Sequence, residues 1–279
     1  MKAILVTGAS TGIGEACVLR LADMGFRVFA GVRRLDDGMK FETLPSRHIT
    51  PVRIDVTDTE SIKAAAAIVQ NEVGENGLVG LVNNAGIAVA GPLEYLPVEE
   101  LRAQFEVNVM GQVAVTQAFL PLIRKGHGRI VNIGSISGRI AIPLMGPYCA
   151  SKFALEAITS ALRMELQPWG IHVAIIEPSA IATPIWKKAL GAAEAIATSY
   201  PSEALERYGP VVAAQRKRTA EADRKGLPRG RVVRDVVHAL TSPRPKTRYV
   251  IGLTSQVGEI ARILPDRLRE RLILRQVAR

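Results

Sequence analysis

Two cysteines in 279 residues, Cys17 and Cys149, are too few for a disulfide framework. Both lie in apolar stretches and read as reduced core thiols, as in a cytosolic protein. No run comes near the ~18 consecutive apolar residues that a membrane span needs. Internal repeats and low-complexity tracts are also missing. Core material is not in short supply: apolar residues make up 48% and charged residues 22%, which excludes a disordered chain. A chain of this length hides roughly three quarters of its unfolded surface, enough for a core without staples. The opening MKAILVT already reads as a strand and leaves no room for a signal peptide. A soluble, cytoplasmic protein is the expectation.

Acidic residues are scarce only at one end. Residues 214–279 hold 17 Lys and Arg against 6 Asp and Glu, whereas residues 1–213 hold 19 against 20. Nearly all of the net charge of +10 therefore sits in the last quarter. A basic terminal segment suits nucleic acid, a membrane surface or an anionic ligand, or is simply a solvated helical face.

Short β-rich runs (AILVT, FRVFAGV, ITPVRID, GLVGLVNN, GRIVNIGS, IHVAIIEP, RYVIG) alternate with segments of helical periodicity. Continuous apolar strands between amphipathic helices predict an α/β fold, a Rossmann-type doubly wound parallel sheet of about seven strands with helices on both faces. The segment 98–125 reads as one long helix. Residues 184–230, Ala-rich and interrupted by Pro201, Pro210 and Pro228, look like a helical insertion of the kind that forms substrate lids. Residues 254–279 form a basic amphipathic tail in which Leu264, Leu268 and Leu272 repeat at helical spacing among Arg267, Arg269, Arg271 and Arg275.

The first strand runs straight into Thr7-Gly8-Ala9-Ser10-Thr11-Gly12-Ile13-Gly14 and then a helix. Glycines there permit a tight turn and close approach to a pyrophosphate, and the helix N-terminus offers N–H donors to it. An NAD site usually carries an acidic residue at the end of the next strand. Here that strand ends Val32-Arg33-Arg34, with no carboxylate until Asp36. Guanidinium groups pair with phosphate, so NADP is favoured and NAD left open. Replacing Val32 by Asp and Arg33 by a neutral residue should swing the preference towards NAD.

Tyr148-Cys149-Ala150-Ser151-Lys152 opens an apolar helix and puts Tyr148 and Lys152 on one face. A phenol with an ordinary pKa of ~10 is a poor proton acceptor at neutral pH, and a nearby ammonium would lower that value. Ser135, at the end of GRIVNIGS, can hold a substrate oxygen beside the phenol.

Together these residues resemble the short-chain dehydrogenase/reductase family. The matching phrases are TGASTGIG at 7–14, NNAG at 83–86, Asn108 in FEVNVMG, Ser135, YCASK at 148–152 and EPSAIAT at 177–183. The wording is most similar to the steroid- and retinol-dehydrogenase-like branch. The resemblance implies one domain over 1–279 and hydride transfer between NAD(P) and an alcohol or carbonyl. It implies Tyr148 as general acid/base, Lys152 as its partner and ribose ligand, Ser135 as the orienting hydroxyl and Asn108 as a relay residue. It further implies cofactor contacts from Gly8, Ser10, Thr11, Gly12, Ile13, Gly14, Arg33, Arg34, Asp55, Val56, Asn84, Ala85, Gly86, Pro178, Ile181 and Thr183, and no metal. Family members of this length generally form homodimers or homotetramers through the helices bearing Asn108 and Tyr148. Phe119, Leu120, Leu122, Phe153, Ala157, Ala161 and Leu162 are the apolar positions available for that. One departure is Ser179, where the family usually has glycine, which restricts the backbone near the nicotinamide.

Ile140, Ile142, Leu144 and Met145, with Ile185 and Trp186, are apolar. Their places in the family pattern imply that they line the pocket beside Ser135 and Tyr148, and with it a small lipophilic substrate: steroid-, retinoid- or fatty-alcohol-like. The tail suits either peripheral membrane contact or packing on the domain or a sister subunit. Nucleic acid is left out, for no recognised motif accompanies the charge. Two rival functions exist. A non-catalytic regulatory or scaffold protein of the same fold would not need all of Asn108, Ser135, Tyr148 and Lys152. A sugar-nucleotide epimerase, which shares Tyr-x-x-x-Lys, would call for a larger C-terminal substrate domain.

Overall fold

All strands but the last are apolar on both sides, and the tertiary structure uses both. The computed structural model describes residues 1–44, 48–252 and 263–277. Strands β1 (Ala3–Val6), β2 (Arg27–Val32), β3 (Ile49–Arg53), β4 (Gly80–Asn83), β5 (Arg129–Ile133), β6 (His172–Pro178) and β7 (Arg248–Ile251) form one parallel sheet in the order 3-2-1-4-5-6-7. The reversal of order between β1 and β4 opens a crevice at their C-terminal ends, where ligands bind in such sheets.

Alternate residues of each strand feed opposite cores, because side chains flip with a period of two. Ile4, Val6, Val28, Ala30, Val131 and Ile176 pack on one face, with α1 (Gly12–Asp23) and α8 (Gly230–Thr241). Leu5, Phe29, Leu81, Ile130 and Val173 pack on the other, with α2 (Thr59–Val73), α4 (Gly111–Lys125) and α5 (Gly146–Leu166). In α8 the buried residues Val232, Val233, Val236, Ala239 and Leu240 form a single helical stripe. Asp58 caps α2 by accepting from the amides of Glu60 (3.0 Å) and Ser61 (3.2 Å).

The long helix expected over 98–125 is interrupted in hydrogen-bond pattern. It consists of α3 (Val98–Phe105), a π-helical turn over Glu106–Met110, and α4. The extra residue in that turn falls around Asn108, and such bulges often accompany functional side chains. Residues 184–230, expected as a helical lid, form α6 (Ile185–Ala197) and α7 (Ser202–Lys225). Pro210 lies inside α7 and does not break it, contrary to the expected interruption.

Residues 263–277 of the tail are described, and 254–262 and 278–279 of it lie outside the described residues. Helix α9 (Asp266–Val277) turns Arg269 and Ile273 towards Phe153, Glu156 and Ala157 of α5. Leu268 and Leu272 are left 47% and 41% exposed, so these leucines do not pack into this chain's core. Among the described residues no helix is long and apolar enough to cross a membrane.

Candidate active site

The crevice is built by the ends of β1 and β4 and the turn into α1. Gly8 (φ 63°) lies so close to β4 that a Cβ there would come within 2.8 Å of the Ala85 Cα, and one on Gly14 would strike the Gly8 carbonyl. Asn84 ties the two strands together: its Nδ2 donates to the Thr7 (2.9 Å) and Gly8 (3.0 Å) carbonyls. The Thr7 hydroxyl accepts from the Asn84 and Ala85 amides. Thr11, at the start of α1, places no side-chain cap on the helix N-terminus. First-turn N–H donors of that helix are therefore not taken by a cap, which is the arrangement an anion needs.

Gly8, Ser10, Thr11, Gly12, Ile13, Arg33, Asp55, Val56, Asn84, Ala85, Gly86, Pro178, Ile181 and Thr183 all line one cleft with Ser135, Tyr148, Lys152, Ile185 and Trp186. Arg34 does not. Extended backbone at Arg34 turns neighbouring side chains to opposite sides, and its guanidinium meets Asp37 at 3.3 Å instead. Lys40, unremarked in the sequence, reaches back across the turn to donate to the Ser10 carbonyl (2.6 Å) and to pair with Glu15. The Asp55 carboxyl is held below the usual range: burial raises it, but hydrogen bonds from Thr57 and the charges of Arg33 and Arg53 prevail. Val32 is 1% exposed, so an Asp there would bury a carboxylate, which rules the Val32 change out as a clean test.

Ser135 ends its strand and Tyr148 and Lys152 lie one turn apart on α5, all three buried. The Ser135 hydroxyl lies beside the Tyr148 phenol, and both line the cleft. The Lys152 ammonium lies 5.8 Å from the Tyr148 ring centroid and donates to the Ile133 carbonyl at 2.8 Å. Burial pushes the Tyr148 phenol up to about 12, against the pull of Ser135. Burial also brings Lys152 down to about 8, with Glu156 opposing. The depression of the phenol expected from Lys152 is not seen: burial raises the phenol, and the lowering influence on it comes from Ser135. Asn108 sits behind the cleft rather than in it. Its amide joins the Ile87 N–H and carbonyl (2.9 and 3.0 Å) to the Ser151 hydroxyl (3.2 Å).

Leu144 and Met145 line an adjoining cavity, shared through Trp186, and Ile140 lines neither. Ile142 packs with Met145, Tyr148, Ala189 and Trp186 in an apolar cluster between α5 and the lid. Ser179 keeps a negative φ among the described non-glycine residues, so the departure from glycine costs no backbone strain. The space is made instead at Gly252, where a Cβ would strike the Ser179 hydroxyl.

Two polar systems were not foreseen. Asn83 donates to Thr116 and Asn132 (both 2.9 Å), and Asn132 donates to Thr159 (2.9 Å), binding β4 and β5 to α4 and α5. Beside Lys152, Glu156 pairs with Arg248 (2.7 Å), which also clasps the fully buried Glu177. Only the Asn-Asn pair in NNAG offered a signal for the first, and nothing in the sequence joins the members of the second.

Comparison with known proteins places this geometry in context. The family described as short chain dehydrogenase matches residues 2–193. The NADPH-dependent 3-dehydrocapnine reductase of Ornithobacterium rhinotracheale is 35% identical over 99% of this chain and 98% of its own length. Dehydrogenase/reductase SDR family member 9 of Bos taurus is 37% identical over 99% of this chain and 88% of its own. A short chain dehydrogenase from Burkholderia cenocepacia, solved in complex with NADP, superposes with a TM-score of 0.73 at 28% identity, covering 98% of this chain and 99% of that one.

Proposed function

This chain belongs to the short-chain dehydrogenase family, and on that premise we propose that it transfers a hydride between NADP(H) and a lipophilic alcohol or carbonyl compound. The observation that carries the reading is the Ser135 hydroxyl set beside the Tyr148 phenol, in the same cleft as Arg33 and walled by Ile185 and Trp186. The glycine cradle against Ala85, the uncapped α1 N-terminus and Arg33 fit a dinucleotide with a 2′-phosphate. The bound dinucleotide supplies or accepts the hydride.

The remaining work falls to the chain. Ser135 orients the substrate oxygen. Tyr148, a phenol at neutral pH because burial raises its pKa, donates its Oη proton to a carbonyl oxygen during reduction and takes it back in the reverse direction. Lys152, still largely protonated at neutral pH, steadies the phenolate left behind and would hold the ribose of a bound dinucleotide. Asn108 holds the Ile87 backbone and Ser151 in register behind Tyr148. Tyr148→Phe should cut turnover by ~10²–10⁴-fold while NADP still binds. The test is a panel of steroid, retinoid and fatty-alcohol substrates followed by nicotinamide absorbance with both cofactors. Near-normal turnover by Tyr148→Phe refutes the mechanism.

The same reading assigns a second copy of the chain to the groove between α4 and α5. Leu120, Leu162 and Trp169 line it, and Trp169 is 56% exposed. Phe119 and Leu122 do not contribute, being absorbed by the sheet core. On α9, Leu268, Leu272 and Leu274 stand exposed among Arg267, Arg271 and Arg275, a face suited to an anionic membrane.

A further inference from the structure

Behind the catalytic cleft lies a second cavity, and Trp186 lines both. Its indole is fixed by an Nε1–H bond to the Ile181 carbonyl at 2.9 Å. The cavity is narrow, with about 60 Å³ open to the centre of a water-sized sphere, and its walls are mainly apolar: Leu144, Met145, Ala189, Ala193 and Val212. Its polar side chains are Tyr200, Gln215, Arg216 and Thr219. Thr219 spends its hydroxyl on the Gln215 carbonyl (2.9 Å), and Arg216 faces Glu194 at 3.7 Å.

Tyr200 is different. Among the described residues, its hydroxyl is the one buried side-chain polar atom lining this cavity that has no hydrogen-bond partner. An unpaired buried hydroxyl is costly, and native structures seldom carry one without a reason. The surrounding chain makes room for it. A Cβ on residue 91 would come within 2.6 Å of the Tyr200 oxygen, so Gly91 is what lets the phenol lie there. Gly91 is held in turn by its N–H bond to the Leu144 carbonyl (2.8 Å), and Leu144 adopts a φ of 64°. Positive φ is rare for leucine and persists where the surroundings impose it, often beside a ligand. The Tyr200 ring packs on Tyr95, with centroids 6.1 Å apart, but the Tyr95 hydroxyl donates to Glu203 (3.3 Å) and does not serve Tyr200.

Resting on the lipophilic-substrate reading above, we infer that this cavity takes the far end of the substrate, and that this end carries a hydroxyl or carbonyl that pairs with Tyr200. The substrate class is then an elongated apolar molecule with two oxygens. One reacts between Ser135 and Tyr148. The other, across an apolar body that passes Trp186, docks at Tyr200. A plain hydrocarbon end would enter the same space and leave the phenol unpaired, so the site discriminates by the cost of that vacancy in the hydrogen-bond network.

The experiment takes the intact protein and a series of medium-chain 2-alkanones, each paired with its ω-hydroxy derivative. Turnover is read from NADPH consumption, and binding from Trp186 fluorescence in a Trp169→Phe background, the chain having two tryptophans. At the chain length that spans both sites, the ω-hydroxy ketone should have a roughly ten-fold higher kcat/KM and bind more tightly than its parent. Tyr200→Phe, which keeps the ring, should bring the ω-hydroxy compound down to the level of the parent. Gly91→Ala should weaken the same preference by displacing the phenol. A hydroxyl preference at no chain length, or one that survives in Tyr200→Phe, overturns the inference. Turnover of plain alkanones with no hydroxyl effect leaves the lipophilic-substrate reading standing and removes only the role of Tyr200. Absence of both binding and turnover for every ketone refutes the two together.

Discussion

Lys152→Met offers a test of the site's electrostatics that needs no substrate. The ammonium is buried and its pKa falls from 10.5 to about 8 through desolvation. At about 1.4 kcal/mol per pKa unit, holding the charge there costs the folded protein about 3 kcal/mol at neutral pH. The pH window follows from the two values. Below about 8 both folded and unfolded chains carry the proton, and the penalty is felt in full. Between about 8 and 10.5 the unfolded chain keeps a proton that the folded one has lost, so stability rises with pH. Methionine removes the charge but also the 2.8 Å bond to the Ile133 carbonyl, a loss of about 1 kcal/mol. Lys152→Met should therefore be roughly 2 kcal/mol more stable than wild type near neutral pH, and about 1 kcal/mol less stable where the lysine is neutral in both states. Tyr148 and Cys17, both pushed up to about 12 by burial, oppose the trend above their ordinary pKa values but do so equally in both proteins. Urea unfolding of the two proteins at matched concentrations, at about pH 7.5 and about pH 10.5, isolates the lysine. A stability difference that stays constant between those pH values would refute the reasoning.

Three further outcomes are expected. Arg33→Asp, which leaves the buried Val32 alone, should lower NADP affinity and raise the relative affinity for NAD, as read by calorimetric titration; wild type binding NAD as tightly as NADP contradicts the cofactor reading. Trp169→Glu should shift the particle towards the 30.1 kDa monomer in light scattering by putting charge into the groove between α4 and α5, and a wild-type protein that is already monomeric at micromolar concentration disproves that interface. The protein should co-sediment with anionic vesicles and be released by salt, each Arg near such a surface contributing ~1 kcal/mol. Leu268→Ser with Leu272→Ser should weaken that binding without unfolding the chain, since both leucines are exposed, and failure to bind at low salt dismisses the membrane face.

The parallel order of strands and helices was legible because each strand is apolar on consecutive residues, which only a sheet covered on both faces requires. The glycine turn at 7–14, the Tyr148–Lys152 spacing and Ser135 at a strand end were legible for a related reason. Each is a short-range pattern whose geometry follows from one turn or one helix, without reference to the rest of the chain. On the same basis Arg33 and Arg34 were equivalent. Only the direction of the extended backbone after β2 separates the one that lines the cleft from the one that pairs with Asp37.

What tertiary structure alone decided are the contacts between segments far apart in sequence. Lys40 meets Glu15 and the Ser10 carbonyl because the turn after β2 folds back on the start of α1. Glu156, Arg248 and Glu177 converge from α5, β7 and β6, elements that carry no mutual spacing rule. The π-helical turn at Asn108 is a single-residue change of hydrogen-bond register that apolar periodicity does not register. Tyr200 is brought against Gly91 by the docking of the lid on the loop after β4, so neither residue marks itself in the sequence. The chemical states of Tyr148 and Lys152 belong here as well. Their residue types and spacing suggest an acid–base pair, but desolvation shifts the pKa values, and desolvation is a property of everything packed around them.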